Sequence, residues 1–131
     1  MKIEPAKIQV RFSDIDIMGH VNNAVYLSYF ENARMHYLKS MVGSDWDWNT
    51  NGIILLKNEI EYIKPVHLYD SVEIQVLVKS IGNKSFTLEH LLTVNDVLCC
   101  KCSSVLVGYN NKSKKSTVIN PVMRSYLEKL H

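Results

Sequence analysis

Ile8, Val10 and Phe12 alternate with Lys7, Gln9 and Arg11, the period-two pattern of a half-buried strand, so the chain is predicted to enter as a strand. The period then changes. From about Asn23 to Val42 there is neither proline nor glycine, and Tyr26, Tyr29, Phe30, Ala33, Tyr37, Leu38 and Met41 recur at helical spacing. Val25, Leu27, Met35 and Val42 widen that stripe, which predicts one long helix covered on most sides by a wrapping sheet. Asn22 or Asn23 is the expected N-cap and Gly43 the expected stop. Ser44 to Gly52 reads as an irregular loop whose Trp46 and Trp48 close the end of the core.

Four more strands are predicted, at about Ile53 to Ile63, Ser71 to Ile81, Ser85 to Val94 and Val97 to Gly108. Val72, Ile74, Val76 and Val78 alternate with polar residues, and Phe86, Leu88, His90, Leu92 and Val94 form a second such series. Pro65 to Asp70, Gly82-Asn83-Lys84 and Asn95-Asp96 separate them. Connections this short predict that successive strands are antiparallel neighbours, because a parallel crossover needs a dozen or more residues. Asn110 to Thr117 reads as a polar loop, and Asn120-Pro121 as an N-cap with proline at the first position of a short helix running to Leu130.

At 131 residues, 47% hydrophobic and 21% charged, the chain is expected to form one domain with a real core. A formal charge of +2, with only Lys112-Ser113-Lys114-Lys115 as a basic run, argues against a nucleic-acid partner. The N-terminal residues lack the apolar core of a signal peptide, and no run of 18 apolar residues occurs, so a cytoplasmic protein with no membrane partner is expected. Cys99, Cys100 and Cys102 sit in an apolar strand and read as reduced, buried small hydrophobes rather than metal ligands. His90, among apolar alternates, reads as an interior histidine, and Glu31 either as the surface partner of Arg34 three residues on or as a group that approaches an active site across a dimer interface.

The chemistry concentrates in Asp14-Ile15-Asp16-Ile17-Met18-Gly19-His20-Val21-Asn22-Asn23. Two carboxylates close a strand-like run, a glycine turn brings in a histidine, and paired asparagines open the long helix, whose first N–H groups can hold developing negative charge. If the segment stays extended, Asp14 and Asp16 share a side and one pKa is raised. Asp14 otherwise reads as an acceptor for turn N–H groups. Gly19 supplies shape, and His20 orients a carbonyl or serves as a hydrogen-bonding partner. The chain has no Gly-x-Ser-x-Gly elbow and no phosphate loop, which argues against a serine hydrolase or a nucleotide hydrolase.

This stretch closely resembles the Asp-x-Asp-x-x-Gly-His-Val-Asn-Asn segment of hotdog-fold acyl-CoA and acyl-ACP thioesterases, the 4-hydroxybenzoyl-CoA thioesterase family. Glu61-Tyr62-Ile63-Lys64-Pro65-Val66, Asp70-Ser71-Val72 and Ile81-Gly82-Asn83-Lys84-Ser85-Phe86 are similar to the family's later pattern, so the resemblance spans nearly the whole chain. It implies an α+β hotdog fold, a long helix wrapped by a curved antiparallel sheet with a short C-terminal helix. It also implies hydrolysis of an acyl thioester, with Asp16 as base or nucleophile, the N–H near Asn23 as oxyanion donor and His20 beside them. Gly19, Asn22, Tyr26, Phe30, Lys84 and Ser85 are the expected substrate contacts, with Lys57 and Lys64 as further cations for coenzyme A phosphates. No cofactor is implied beyond the coenzyme A of the substrate, and the expected assembly is a homodimer or homotetramer. The rival enzyme reading, an enoyl-thioester hydratase, expects an Asp-x-Asn-Pro-x-His pattern, whereas Ile17-Met18-Gly19 follows Asp16 here. A non-catalytic acyl-CoA-binding module is the rival from another class.

Overall fold

The computed structural model describes residues 2–131. The order of elements is β1 (Ala6–Ile8), a 3-10 turn at Phe12–Asp14, α1 (Val25–Val42), β2 (Gly52–Tyr62), β3 (Val72–Ile81), β4 (Ser85–Val94), β5 (Val97–Asn110), β6 (Lys115–Thr117) and α2 (Pro121–Leu130). All pairings between these strands are antiparallel, in the order β1-β3-β4-β5-β2, with β6 on the far end of β5. The predicted alternation places one row of side chains from each of β3, β4 and β5 against α1. Val72, Ile74, Val76 and Val78 of β3, Phe86, Leu88, His90 and Leu92 of β4, and Cys100, Cys102, Ser104 and Leu106 of β5 are buried. Phe30, Ala33 and Leu38 of the helix are sealed against that surface. This is the hotdog arrangement that the motif implies.

Several local expectations are corrected. β1 stops at Ile8. Val10 is still buried, but Phe12 is turned out to 83% exposure because the chain leaves the sheet for the 3-10 turn. β2 does not neighbour β3: it pairs with β5 on the opposite edge, and β3 takes β1 on its other side. Short connections exclude a parallel crossover but not a link that leaves the plane of the sheet. Here residues 63–71 bridge three strand spacings, about 14 Å, well within reach of nine residues. The expected polar loop at 110–117 contains β6, whose Ser116 and Thr117 register with Tyr109 and Gly108. The helix buries one face only. Leu27, Ser28, Glu31, Asn32 and Lys39 are exposed, since a single sheet can grip only one side. Glu31 and Arg34 form no ion pair: Arg34 is buried toward the sheet, where Glu31, on the outer face, does not follow.

The turns follow their residue types. Gly43, at φ 81°, ends α1 with its N–H on Lys39 O. Asn95 and Asp96 both adopt positive φ, the geometry a two-residue hairpin demands. Asn120 Oδ1 accepts from Val122 N–H and Pro121 opens α2 as expected. Trp46 and Trp48 are partly buried against the core with rings 6.4 Å apart. Among the described residues, no helix is long and apolar enough to cross a membrane.

Candidate active site

The residues between the 3-10 turn and α1 form a miniature hairpin. Asn22 N–H donates to Asp14 O, Asp16 N–H to His20 O at 2.7 Å, and Ile15 bridges Val21. Its tip is Asp16 to Gly19, closed by Gly19 N–H on Asp16 O, and Gly19 sits at φ 77°, where a β-carbon is disfavoured although space is free around it. The outer arm pairs with the link between β2 and β3, through Val21 N–H to Val66 O and a bridge between His20 and His67. The two imidazoles meet edge to face at 5.0 Å.

The tip presents the Asp16 carboxylate in a fixed pose. One oxygen accepts Met18 N–H at 2.9 Å and His20 N–H at 3.1 Å, while the other has no partner among the described residues. Asp14 turns the opposite way. It is 2% exposed and accepts Tyr29 O–H at 2.7 Å, Arg11 N–H at 3.0 Å and the Arg11 guanidinium at 3.1 Å. Burial alone raises a carboxyl pKa, but these donors outweigh it and hold Asp14 below the usual carboxylate range. The expectation of two side-by-side carboxylates with one raised pKa is therefore corrected: the 3-10 turn breaks the extended path, and Asp14 is the acceptor of turn N–H groups.

The start of α1 also departs from expectation. Ala24 is the N-cap residue and has helical dihedrals. Asn22 caps the turn before it instead, its side chain accepting Ala24 N–H and its carbonyl accepting Val25 N–H. Asn23 N–H consequently donates to nothing among the described residues, while Asn23 O accepts the Tyr62 hydroxyl at 2.8 Å. An unpaired N–H at a helix start, near a half-free carboxylate, is a geometry suited to an oxyanion.

Asp16, His20, Val21, Asn23 and Tyr26 line one cleft of about 270 Å³, whose other wall is Tyr62, Ile63, Lys64 and Pro65 from the end of β2. Tyr26 and Tyr62 meet edge to face at 5.2 Å, and Tyr26 Oη accepts Val66 N–H. Of the expected site, Asp16, His20, Asn23 and Tyr26 come together, Gly19 shapes the tip and Asn22 sits behind it. Phe30 does not reach the cleft, because it is fully buried against His90 with ring centres 5.3 Å apart. Lys84 and Ser85 lie at the other end of the sheet: Ser85 pairs with Val107 while Tyr62 pairs with Cys100, seven residues or about 23 Å away along β5. Tyr62 was missed as a wall of the cleft, although it stood in the quoted Glu61–Val66 pattern. Its alternation with Ile60 on the helix side of β2 was the available signal.

His90 is completely buried. Its Nδ1–H donates to Cys102 O at 3.0 Å, Nε2 has no partner among the described residues, and burial pushes its pKa down to about 4. The three cysteines are free and buried, and burial raises Cys100 to about 12. These groups belong to the core rather than the cleft.

A family model described as the Thioesterase-like superfamily matches residues 10–127. The chain is 32% identical over 85 residues to the uncharacterized protein YsmA of Bacillus subtilis (strain 168), covering 65% of this chain and 57% of that protein, little more than half its length. It is 26% identical over 127 residues to the long-chain acyl-CoA thioesterase FadM of Escherichia coli (strain K12), covering 95% of this chain and 96% of FadM. Among solved structures, a thioesterase from Thermus thermophilus, complexed with coenzyme A and Zn, matches at TM-score 0.83 and 32% identity, covering 95% of this chain and 96% of that one.

Proposed function

Because the chain belongs to the Thioesterase-like superfamily, we propose that its cleft hydrolyses acyl-CoA to a free acid and coenzyme A, with Asp16 as the reacting carboxylate. The observation that carries this reading is the pose of Asp16: one oxygen pinned by two N–H groups, the other free, in a cleft shared with the unpaired Asn23 N–H. As base, the free oxygen takes a proton from water while that water's oxygen bonds to the carbonyl carbon. The carbonyl oxygen becomes an oxyanion against Asn23 N–H and the positive end of α1. Collapse breaks the C–S bond, and the proton passes from Asp16 to the departing sulfur. In the alternative route the same oxygen attacks the carbonyl carbon directly, the C–S bond breaks to release the coenzyme A thiolate, and water opens the resulting anhydride to the free acid and Asp16.

The similarity to FadM, a long-chain acyl-CoA thioesterase, supports a fatty acyl chain. The coenzyme A bound by the Thermus thermophilus relative supports coenzyme A over acyl carrier protein. Lys64, on the wall of the cleft, is the cation nearest to hand for a coenzyme A phosphate. The reaction calls for no group beyond the substrate's own coenzyme A.

Among the described residues no strand pairs with the outer edge of β2, and Ile54, Leu55, Leu56, Tyr62 and Ile63 beside it are 40% or more exposed. A second copy pairing there by a two-fold axis gives a homodimer. Antiparallel pairing also inverts the partner, which brings the Gly82–Ser85 hairpin of one protomer to the end of the sheet where the other's cleft opens. That placement would return Lys84 and Ser85 to the substrate.

Thiol release from a chain-length panel of acyl-CoAs, with folded Asp16→Asn beside the wild type, tests the reading. Hydrolysis that falls by about 10²–10⁴-fold in the variant is expected. Tight binding of acyl-CoA recovered unchanged by the wild type would establish a binding module instead, and full activity in the variant would remove Asp16 from the mechanism.

A further inference from the structure

Beyond the core packing of Ile15 and Val21 and its own continuation into α1, polar contacts tie the hairpin that carries Asp16 to the rest of the fold at two places. Its outer arm lies on the link at Val66 and His67. Its base is held by a side chain, Asp14, against the first turns of α1. Tyr29, 4% exposed, donates to Asp14 at 2.7 Å, and its ring lies 6.2 Å from that of Tyr26, which lines the cleft and receives Val66 N–H. The contacts therefore close a ring through base, helix, link and outer arm, with Asp16 at the one free tip.

We propose that Asp14 and Tyr29 form a positioning pair that aims Asp16, without touching substrate themselves. The proposal rests on the reading of Asp16 as the reacting carboxylate. Asp14 is unsuited to a second chemical role: both its oxygens are taken by donors and it has no solvent face. A phenol donating to an ionised carboxylate in a dry setting is short and directional, so it fixes an angle as well as a distance. Asp16 lies two residues, about 7 Å of chain, beyond this fixed point. A shift at the base is carried toward the tip, and a displacement of about one ångström at the reacting group costs on the order of 100-fold in rate.

The test is a double-mutant cycle on the intact protein. Tyr29→Phe, Asp14→Asn, the double variant and Asp16→Asn are compared for kcat, KM and thermal midpoint on the best acyl-CoA, at a temperature where every variant is folded by circular dichroism. Each single change at the pair is expected to lower kcat by about 10- to 100-fold with KM held within about threefold. The double variant should lose no more than the weaker single variant, because both changes break one link. Tyr29→Phe, which leaves every carboxylate in place, should keep the acid limb of the kcat/KM profile at its original pH. Lowered midpoints with unchanged kcat would make the pair structural only and overturn the proposal, as would losses that multiply in the double variant. Arg11→Ala weakens the same anchor from an exposed side chain, so it holds the test open if Tyr29→Phe does not fold: a several-fold fall in kcat supports the pair, and wild-type kcat overturns it. A dead Asp16→Asn beside fully active pair variants overturns the pair alone, whereas an active Asp16→Asn overturns the Asp16 reading and the pair's target with it.

Discussion

Lowering the pH from 7.5 to 4 should destabilise this protein through His90. The imidazole is fully buried and uncharged, and its pKa in the fold is about 4 against an ordinary 6.5. Burial is the main cause, and the positive Arg34 adds to it. Above pH 6.5 neither state binds the proton. Between 6.5 and 4 the unfolded chain binds it and the folded one does not, so stability falls with falling pH and levels off near 4. Each pH unit in that window is worth about 1.4 kcal/mol, which makes the full loss about 3 kcal/mol. Asp14 acts lower down: its depressed pKa contributes stability above 3.8, lost as the pH drops below that value. Urea unfolding at pH 4.0, 5.0, 6.0 and 7.5, at one protein concentration, measures the slope. His90→Gln keeps a donor for Cys102 O but cannot titrate, and should flatten the curve between 4.5 and 6.5. Parallel curves for the two proteins would refute the assignment of that window to His90.

Gly19→Ala should cost about 1–2 kcal/mol from its left-handed dihedral alone, since no atom obstructs a β-carbon there, and a fall in melting temperature without change in oligomeric state would show it. Phe30→Ala, in the sealed layer over His90, should lose about 3–5 kcal/mol in chemical unfolding. Tyr62→Phe removes the donor to Asn23 O but keeps the ring on Tyr26, so steady-state kinetics should show lowered kcat while stability changes by less than about 1.5 kcal/mol. A charge pair at the open edge, Ile54→Lys with Leu56→Lys, should yield monomer by light scattering; a persistent dimer would place the interface elsewhere.

Residue patterns place every long element to within two or three residues, most directly where β3, β4, β5 and α1 each bury one regular row. What periodicity misses is pairing that the row does not decide. β2 and β3 are joined by a short link, yet the link leaves the sheet at Pro65, and only the demand of β5 for an outer neighbour places β2. Lys115–Thr117 is polar because β6 is a short edge, where burial imposes no pattern. The cleft was half legible: Asp16, Gly19, His20 and Asn23 stand in one motif, and their hairpin is local. Tyr62 and Lys64 arrive from some forty residues on, by a crossing that only the fold reveals. Lys84, Ser85 and Phe30 carry side chains suited to a ligand, but chemistry does not report which end of a strand, or which side of a sealed layer, a residue occupies.

The long detour of β2 to the far edge also has a cost during synthesis. The strand leaves the ribosome with Ile54, Leu55 and Leu56 and no neighbour, for its partner β5 ends about fifty residues later. At roughly 5–20 residues per second the wait is about 2–10 s. Throughout it the nascent chain offers an unpaired apolar ribbon to chaperones or to other nascent copies, and the native partner arrives only after β3 and β4.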